Sequence, residues 1–316
     1  MKTLEKAKSG GILSKEETVE LLSVENLSEQ YYRLLSASNA LSRKSFNKKG
    51  LIFAQIGLNN QPCSANCKFC SMASDNYLMN SNGCLSDEII LDTVKALSQT
   101  KAADIFLMTT ADYPQELFLQ KVALVKRELP DTRLVVNVGD FDLEYAIKLK
   151  QLGVFGAYHI VRLHEGIDTE LPVEQRIKTL DAIKDAGLEL YYCVEPIGPE
   201  HSYAEIAEEM LRARKYPVGV MAVMKRVCVA GSALFDKGEI SSTELAKICA
   251  VANLVVKPTR AMGVHEPDSI CLMSGANQIY AELGANPRDT ADKTESGRGM
   301  SIDNAEVLLK NAAWNI

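Results

Sequence analysis

A chain of 316 residues, 47% hydrophobic and 24% charged, has enough apolar material for a substantial core, which excludes a disordered, collagenous or low-complexity protein. A formal net charge of −6 argues against binding to nucleic acid or anionic membranes, and no apolar run approaches the length of a membrane span. The N-terminal MKTLEKAKSGG has no signal-peptide apolar stretch, so a cytoplasmic protein is expected.

The first fifty residues read as helical. Ser14 and Glu17 in SKEETVELLS have capping-box spacing, and a longer helical pattern runs through YYRLLSASNALSRKSF. From residue 51 short apolar runs alternate with amphipathic helices. The runs 51–57, 104–110, 133–139, 157–163, 188–195 and 218–224 read as buried parallel strands. Helical patterns fill the intervals, and Leu152-Gly153, Ala186-Gly187 and Tyr216-Pro217 give turn signals ahead of three strands. Weaker strands are expected at about 259–265 and 269–273. So many strand–helix units predict an α/β fold, a full or partial (β/α) TIM-type barrel. An open doubly wound sheet is the alternative, but no GxGxxG turn follows the first strand. The expected organisation is an N-terminal helical extension (1–48), a barrel domain (49–283), and a C-terminal loop plus helix (284–316). The loop GANPRDTADKTESGRGMS is polar and long enough to be functional or mobile.

Eight cysteines need a reason in a reducing cytoplasm, where a disulfide framework is not expected. Cys84, Cys193, Cys228, Cys249 and Cys271 stand alone. Cys63, Cys67 and Cys70 form CxxxCxxC directly after the first predicted strand. Thiolates are the ligands of iron–sulfur clusters, and three of them on one loop leave the fourth iron open to an exogenous ligand. Zinc is the metal alternative, although a structural site needs four ligands and no nearby His or fourth Cys completes one. Three buried structural thiols are the remaining reading.

With Phe69 just before the last cysteine, PCSANCKFCSMA resembles the signature of the radical S-adenosylmethionine (SAM) enzymes. RIKTLDAIKDAGL, VMKRVCVAGSAL, ELAKICAVANLVVKPTRAMGV and LMSGANQIYAELG extend the resemblance to the biotin synthase-like branch, over most of residues 45–285. The resemblance implies a TIM-barrel core and a [4Fe-4S] cluster on Cys63, Cys67 and Cys70. SAM would bind the fourth iron and be cleaved to a 5′-deoxyadenosyl radical that takes hydrogen from a small-molecule substrate, with a flavodoxin- or ferredoxin-type electron donor as partner. Phe69 would lie near the adenine.

The chain departs from biotin synthase itself. That enzyme holds a second cluster on barrel cysteines and an arginine, whereas the strands 104–110 and 133–139 here carry no cysteine and Arg260 is displaced to a strand start. Only Cys193 falls where one of those ligands would be. YHIVRLHEGIDT resembles the hydrogenase-maturase side of the branch, which would put Arg162 on the SAM carboxylate and His164 or Glu165 at the ribose. The passage GANQIYAELGANPRDT resembles the radical SAM protein of [Fe]-hydrogenase iron-guanylylpyridinol cofactor assembly, whose first cysteine gap is wider. By the same resemblance Thr109 and Thr110 would meet the SAM amino group. Glu195 follows the run 188–194 as a further candidate for binding the cofactor, and Ile197-Gly198 could present backbone groups to the adenine.

Other strand-end groups could act on the substrate. His265 and Glu266 could form an acid/base pair, and Lys225 and Arg226 could bind an anion. Cys193 could be a metal ligand, a radical trap or an inert core thiol. His159, within an apolar run, reads as a core histidine. The function expected is radical SAM chemistry in the biosynthesis of a metal cofactor or vitamin. Sulfur insertion of the biotin or lipoate type, an iron–sulfur electron carrier or redox sensor, and a zinc-stabilised binding module are the rivals.

Overall fold

The computed structural model describes residues 1–80, 82–265, 268–282 and 300–316. Three helices come first: α1 (Lys2–Lys8), α2 (Lys15–Leu22) and α3 (Glu29–Ser45). The capping box at α2 is present, with Ser14 accepting from the Glu17 N–H and the Glu17 carboxylate accepting from the Ser14 N–H. Leu21, Leu22, Tyr31 and Leu34 of these helices are fully buried in the same apolar core as the strands.

Eight parallel strands follow and close into a barrel in sequence order. They are β1 (Leu51–Gly57), β2 (Ala102–Met108), β3 (Leu134–Asn137), β4 (Gly156–Tyr158), β5 (Glu189–Ile197), β6 (Val218–Lys225), β7 (Ala261–Val264) and β8 (Gln278–Glu282). Closure comes from β1 pairing with β8, where Phe53 faces Tyr280. Between the strands lie α4 (Asp87–Ser98), α5 (Gln115–Glu128), α6 (Leu143–Gln151), α7 (Val173–Asp185), α8 (Tyr203–Ala213), α9 (Ser242–Val256) and the short α10 (Ser269–Met273). The last helix, α11 (Ile302–Asn311), packs on β8 and β1. No helix among the described residues is long and apolar enough to cross a membrane.

Two expectations from the sequence are corrected. The stretch 269–273 is helix, not strand: the Asp268 carboxylate accepts from the Ile270 N–H at 2.7 Å and starts a turn. A four- or five-residue apolar run carries both readings, and capping decides here. The run 157–163 leaves the sheet after Tyr158. The Ile160 carbonyl accepts from Arg176 Nε at 3.0 Å rather than from a neighbouring strand, while the His159 and Leu163 N–H groups still donate to the Tyr191 and Glu195 carbonyls of β5. Glu266 and residues 284–299 of the polar loop lie outside the described residues.

The interior of the barrel is layered. Phe53, Phe106, Tyr191 and Tyr280 form an aromatic plug, with ring centroids 5.3 Å apart for Phe106 and Tyr191 and 5.8 Å for Phe53 and Tyr280. Below it, at the N-terminal ends of the strands, Asp104, Arg133, Glu189 and Arg260 form an ion-pair network. Above it, at the C-terminal ends, a cavity of about 210 Å³ opens. In barrels of this type the chemistry gathers at that face.

Candidate active site at the barrel mouth

The loop after β1 carries Cys63, Cys67 and Cys70, all half-buried and all lining the mouth cavity. Its turn depends on Asn66, which adopts φ +44, a left-handed conformation that Asn tolerates. The Asn66 Oδ1 then accepts from Ser74 Oγ at 2.9 Å and from the Asp75 N–H at 3.0 Å. Neighbouring loops clamp it further. The Ser64 N–H donates to Asp112 at 2.6 Å, the Lys68 N–H to the Asp168 carbonyl at 2.9 Å, and the Glu170 N–H to the Ala65 carbonyl at 2.9 Å. The loop is thus held by the segments that follow β2 and β4.

Backbone N–H groups point at two of the thiols, Ala111 at Cys63 Sγ and Met72 at Cys70 Sγ, each at 3.4 Å. Burial pushes the Cys67 thiol up to about 12, with Arg162 pulling it the other way, and burial raises the Cys63 thiol too. Without a bound cation these two remain thiols at neutral pH; a metal would deprotonate them. Three thiols on one loop, with no histidine or carboxylate among them, are donors of the kind an iron–sulfur cluster takes. The donor set and the spacing fit a cluster.

Arg162 stands opposite, after β4. Its Nη1 lies 3.5 Å from Glu165 Oε2 and its Nε 3.8 Å from Glu195 Oε1, and that buried Nε has no hydrogen-bond partner. Burial opposes its charge, but Cys67, Glu165 and Glu195 outweigh burial and keep it firmly protonated. Glu195 lines the cavity and accepts from Tyr158 Oη at 2.6 Å. Thr109 Oγ1 is also buried without a partner at the cavity wall. Arg162 Nε and Thr109 Oγ1 are thus buried polar atoms without a hydrogen-bond partner among the described residues.

Phe69, Thr109, Thr110, Arg162, Glu195 and His265 share one cavity with the three cysteines. Thr110 is engaged in its wall, its N–H donating to Asn59 Oδ1 at 2.9 Å and its hydroxyl accepting from Asn59 Nδ2 at 2.8 Å. Glu165 is turned away behind Arg162, accepting from the Arg162 N–H at 3.0 Å and from Thr169 Oγ1 at 2.6 Å. His164 also points elsewhere, its Nδ1 3.2 Å from Asp168 and its Nε2 3.0 Å from Glu205. Ile197 is fully buried and its carbonyl accepts from the Arg226 N–H at 2.8 Å. Cys193 is fully buried on β5, and burial raises its thiol far above the ordinary value.

The cavity also uses residues that the sequence did not single out. Arg176, in the first turn of α7, reaches the cavity and donates to Asp140 Oδ1 at 2.9 Å. His159, buried as expected, lies 3.2 Å from the same oxygen. Tyr158, Gln55 and Asn137 line the wall as well. Their signal was positional only: each faces inward near the C-terminal end of its strand.

No protein-family model matches the chain. Biotin synthase of Nitrosopumilus maritimus is 26% identical over 314 residues, covering 89% of this chain and 91% of that protein. Biotin synthase of Chlorobaculum parvum is 25% identical over 266 residues, covering 80% and 76%. Among solved structures, methylornithine synthase (PylB) superposes with a TM-score of 0.84 at 18% identity, covering 99% of this chain and 96% of that one. The [FeFe]-hydrogenase maturase HydG of Carboxydothermus hydrogenoformans gives 0.82 at 16%, covering 98% and 77%. These two likenesses speak for the barrel fold. The family implies a [4Fe-4S] cluster and SAM, and the cysteines for the cluster are present in the chain. With its sequence relatives and its closed barrel taken together, this chain is similar over most of its length to the biotin synthase-like branch of the radical SAM enzymes.

Proposed function

We propose that Cys63, Cys67 and Cys70 hold a [4Fe-4S] cluster at the barrel mouth, and that the enzyme takes hydrogen from a small molecule bound beneath it. When bound, the cluster supplies the electron that cleaves SAM to methionine and a 5′-deoxyadenosyl radical. The chain's own residues bind and enclose. Arg162 offers its unpartnered Nε to the SAM carboxylate, a fork matched to two oxygens. Thr109 offers its hydroxyl to a polar group of SAM, and Phe69 an apolar face to the adenine. Glu195, steadied by Tyr158, accepts hydrogen bonds from ribose or substrate. The aromatic plug closes the barrel below, so a reactive carbon radical meets little water.

The observation that carries this reading is one cavity shared by three half-buried thiols and an arginine with an unused donor. The pathway proposed is biosynthesis of a metal cofactor or vitamin, of the hydrogenase-cofactor maturase type. It would run in the cytoplasm with a flavodoxin- or ferredoxin-type donor, and residues 49–283 would form the catalytic unit. Sulfur insertion finds less support, because Cys193 is the one cysteine in the eight strands.

Anaerobic reconstitution followed by dithionite and SAM tests the reading. About four irons per chain and formation of 5′-deoxyadenosine are expected. A reducible cluster that never cleaves SAM would instead make the chain an electron carrier or sensor.

A further inference from the structure

Deeper in the same cavity stands a second set of ligand-type side chains. Cys193 Sγ, a Glu195 carboxylate oxygen and a His265 ring nitrogen all lie within 4.8 Å of one another. Cys193 and Glu195 are two residues apart on β5, and His265 directly follows β7. The strand between them, β6, places only a small side chain here: Cys193 is in register with Ala222, and Ala222 with Gly263 of β7, beside which the Gln278 side chain packs.

The set is preorganised. Tyr158 Oη donates to Glu195 Oε2 at 2.6 Å, fixing the carboxylate. The His265 ring stacks on Tyr280 with centroids 3.9 Å apart and meets Tyr158 edge-on at 5.7 Å. Outer partners of this kind orient metal ligands and sharpen affinity. Glu195 and His265 line the cavity, while Cys193 is fully buried behind them.

We infer that Cys193, Glu195 and His265 form a mononuclear site for a divalent transition-metal ion of the zinc class, separate from the cysteine loop. A thiolate, an imidazole and a carboxylate suit such an ion, and three protein ligands leave a coordination position free toward the cavity. Binding releases the Cys193 thiol proton and forms the metal–sulfur bond. The open position takes an anionic or thiol group of the substrate. That last role rests on the radical SAM reading above; the metal site itself does not.

The other compact trio among the described residues, His164, Asp168 and His201, does not meet the same requirement. His201 Nδ1 accepts from the Gly198 N–H at 2.9 Å, so a neutral ring carries its proton on Nε2 and has no lone pair left for a metal.

The test uses cluster-loaded protein, so that zinc cannot occupy the cysteine loop. One equivalent of Zn²⁺ is added anaerobically, loosely bound metal is removed on a chelating resin, and zinc and iron are counted. About one zinc per chain is expected above the cluster iron. Zinc-edge X-ray absorption should show one sulfur at about 2.3 Å with nitrogen and oxygen at about 2.0–2.2 Å. Cys193→Ser, Glu195→Gln and His265→Gln should each weaken zinc binding about tenfold or more, read by chelator competition, with iron content unchanged. No retained zinc in the wild type overturns the inference, as does a shell of three or four sulfurs. Undiminished binding in all three variants overturns it equally. Absence of 5′-deoxyadenosine with zinc still bound would fault the proposed function and leave this site standing.

Discussion

At both ends of the barrel an arginine meets two carboxylates, and the two meetings differ. At the floor, Arg260 donates to both oxygens of Asp104 at 2.7 and 2.8 Å, and its Nη1 also reaches Glu189 at 3.1 Å and Tyr191 Oη at 2.7 Å. Arg133 Nε adds a bond to Asp104 at 2.9 Å. At the mouth, Arg162 stands 3.5 and 3.8 Å from its carboxylates and keeps an Nε without a hydrogen-bond partner. The floor is a dense set of charges bonded mainly to one another, although Arg133 Nη2 is buried there without a hydrogen-bond partner. At the mouth the Arg162 guanidinium is held more loosely by its carboxylates. On the proposed reading, the same residue types serve stability at one end and binding at the other.

The largest effects should follow from the cysteine loop at the mouth. Cys67→Ala should abolish stable cluster loading, taking iron from about four per chain to near zero. 5′-Deoxyadenosine formation should go with it, while the unfolding midpoint of the apoprotein stays close to wild type. Full iron retention would remove Cys67 from the cluster.

Asp104→Ala should do the reverse. Removing one member of a buried ion-pair network strands Arg260 and Arg133, at a cost of about 3–5 kcal/mol in urea unfolding. The cluster loop lies at the other end and should still load iron. A variant of wild-type stability would show that the floor network is not a stabilising closure.

Arg162→Ala separates the two ends most directly. Its loss should weaken SAM binding about tenfold to a hundredfold, the worth of one or two charge-assisted hydrogen bonds. Iron should be retained, and stability should fall less than in Asp104→Ala, because Glu165 keeps Arg176 3.5 Å away. Unchanged SAM affinity would exclude Arg162 from the site.

The contrast also shows why some features could be read from the sequence and others not. The cysteine triad is a local pattern, so its spacing and its place after β1 were visible in a twelve-residue stretch. The barrel was legible because apolar runs and amphipathic helices alternate. The eighth strand was not, since 269–273 is as apolar as a strand and only the Asp268 cap turns it into helix. Which strand-end polar groups face the cavity was also beyond periodicity. Glu165 satisfies its own turn through the Arg162 N–H, a choice made by loop geometry. Arg176 reads as a solvated helix residue until α7 is placed against the barrel, where its guanidinium crosses to Asp140. Likewise Cys193 and His265 stand 72 positions apart in the chain, and only strand order brings them together.

A smaller effect distinguishes the ends by their response to acid. Behind the mouth, burial and the Arg176 charge hold the His159 imidazole down at about 4, against an ordinary value of 6.5. The folded protein keeps this ring neutral, while the unfolded chain binds a proton as pH falls below 6.5. The contribution is therefore fully present above that value and is lost as pH drops toward 4. Between pH 7 and pH 5 the wild type should lose about 2 kcal/mol that His159→Gln does not lose, measured by urea unfolding at each pH. The floor network of Asp104, Arg133, Glu189, Tyr191 and Arg260 contains no histidine. Asp104→Ala should thus start from a lower stability yet keep the wild-type slope over this range. Equal slopes in His159→Gln and the wild type would mean that the imidazole does not titrate differently in the two states.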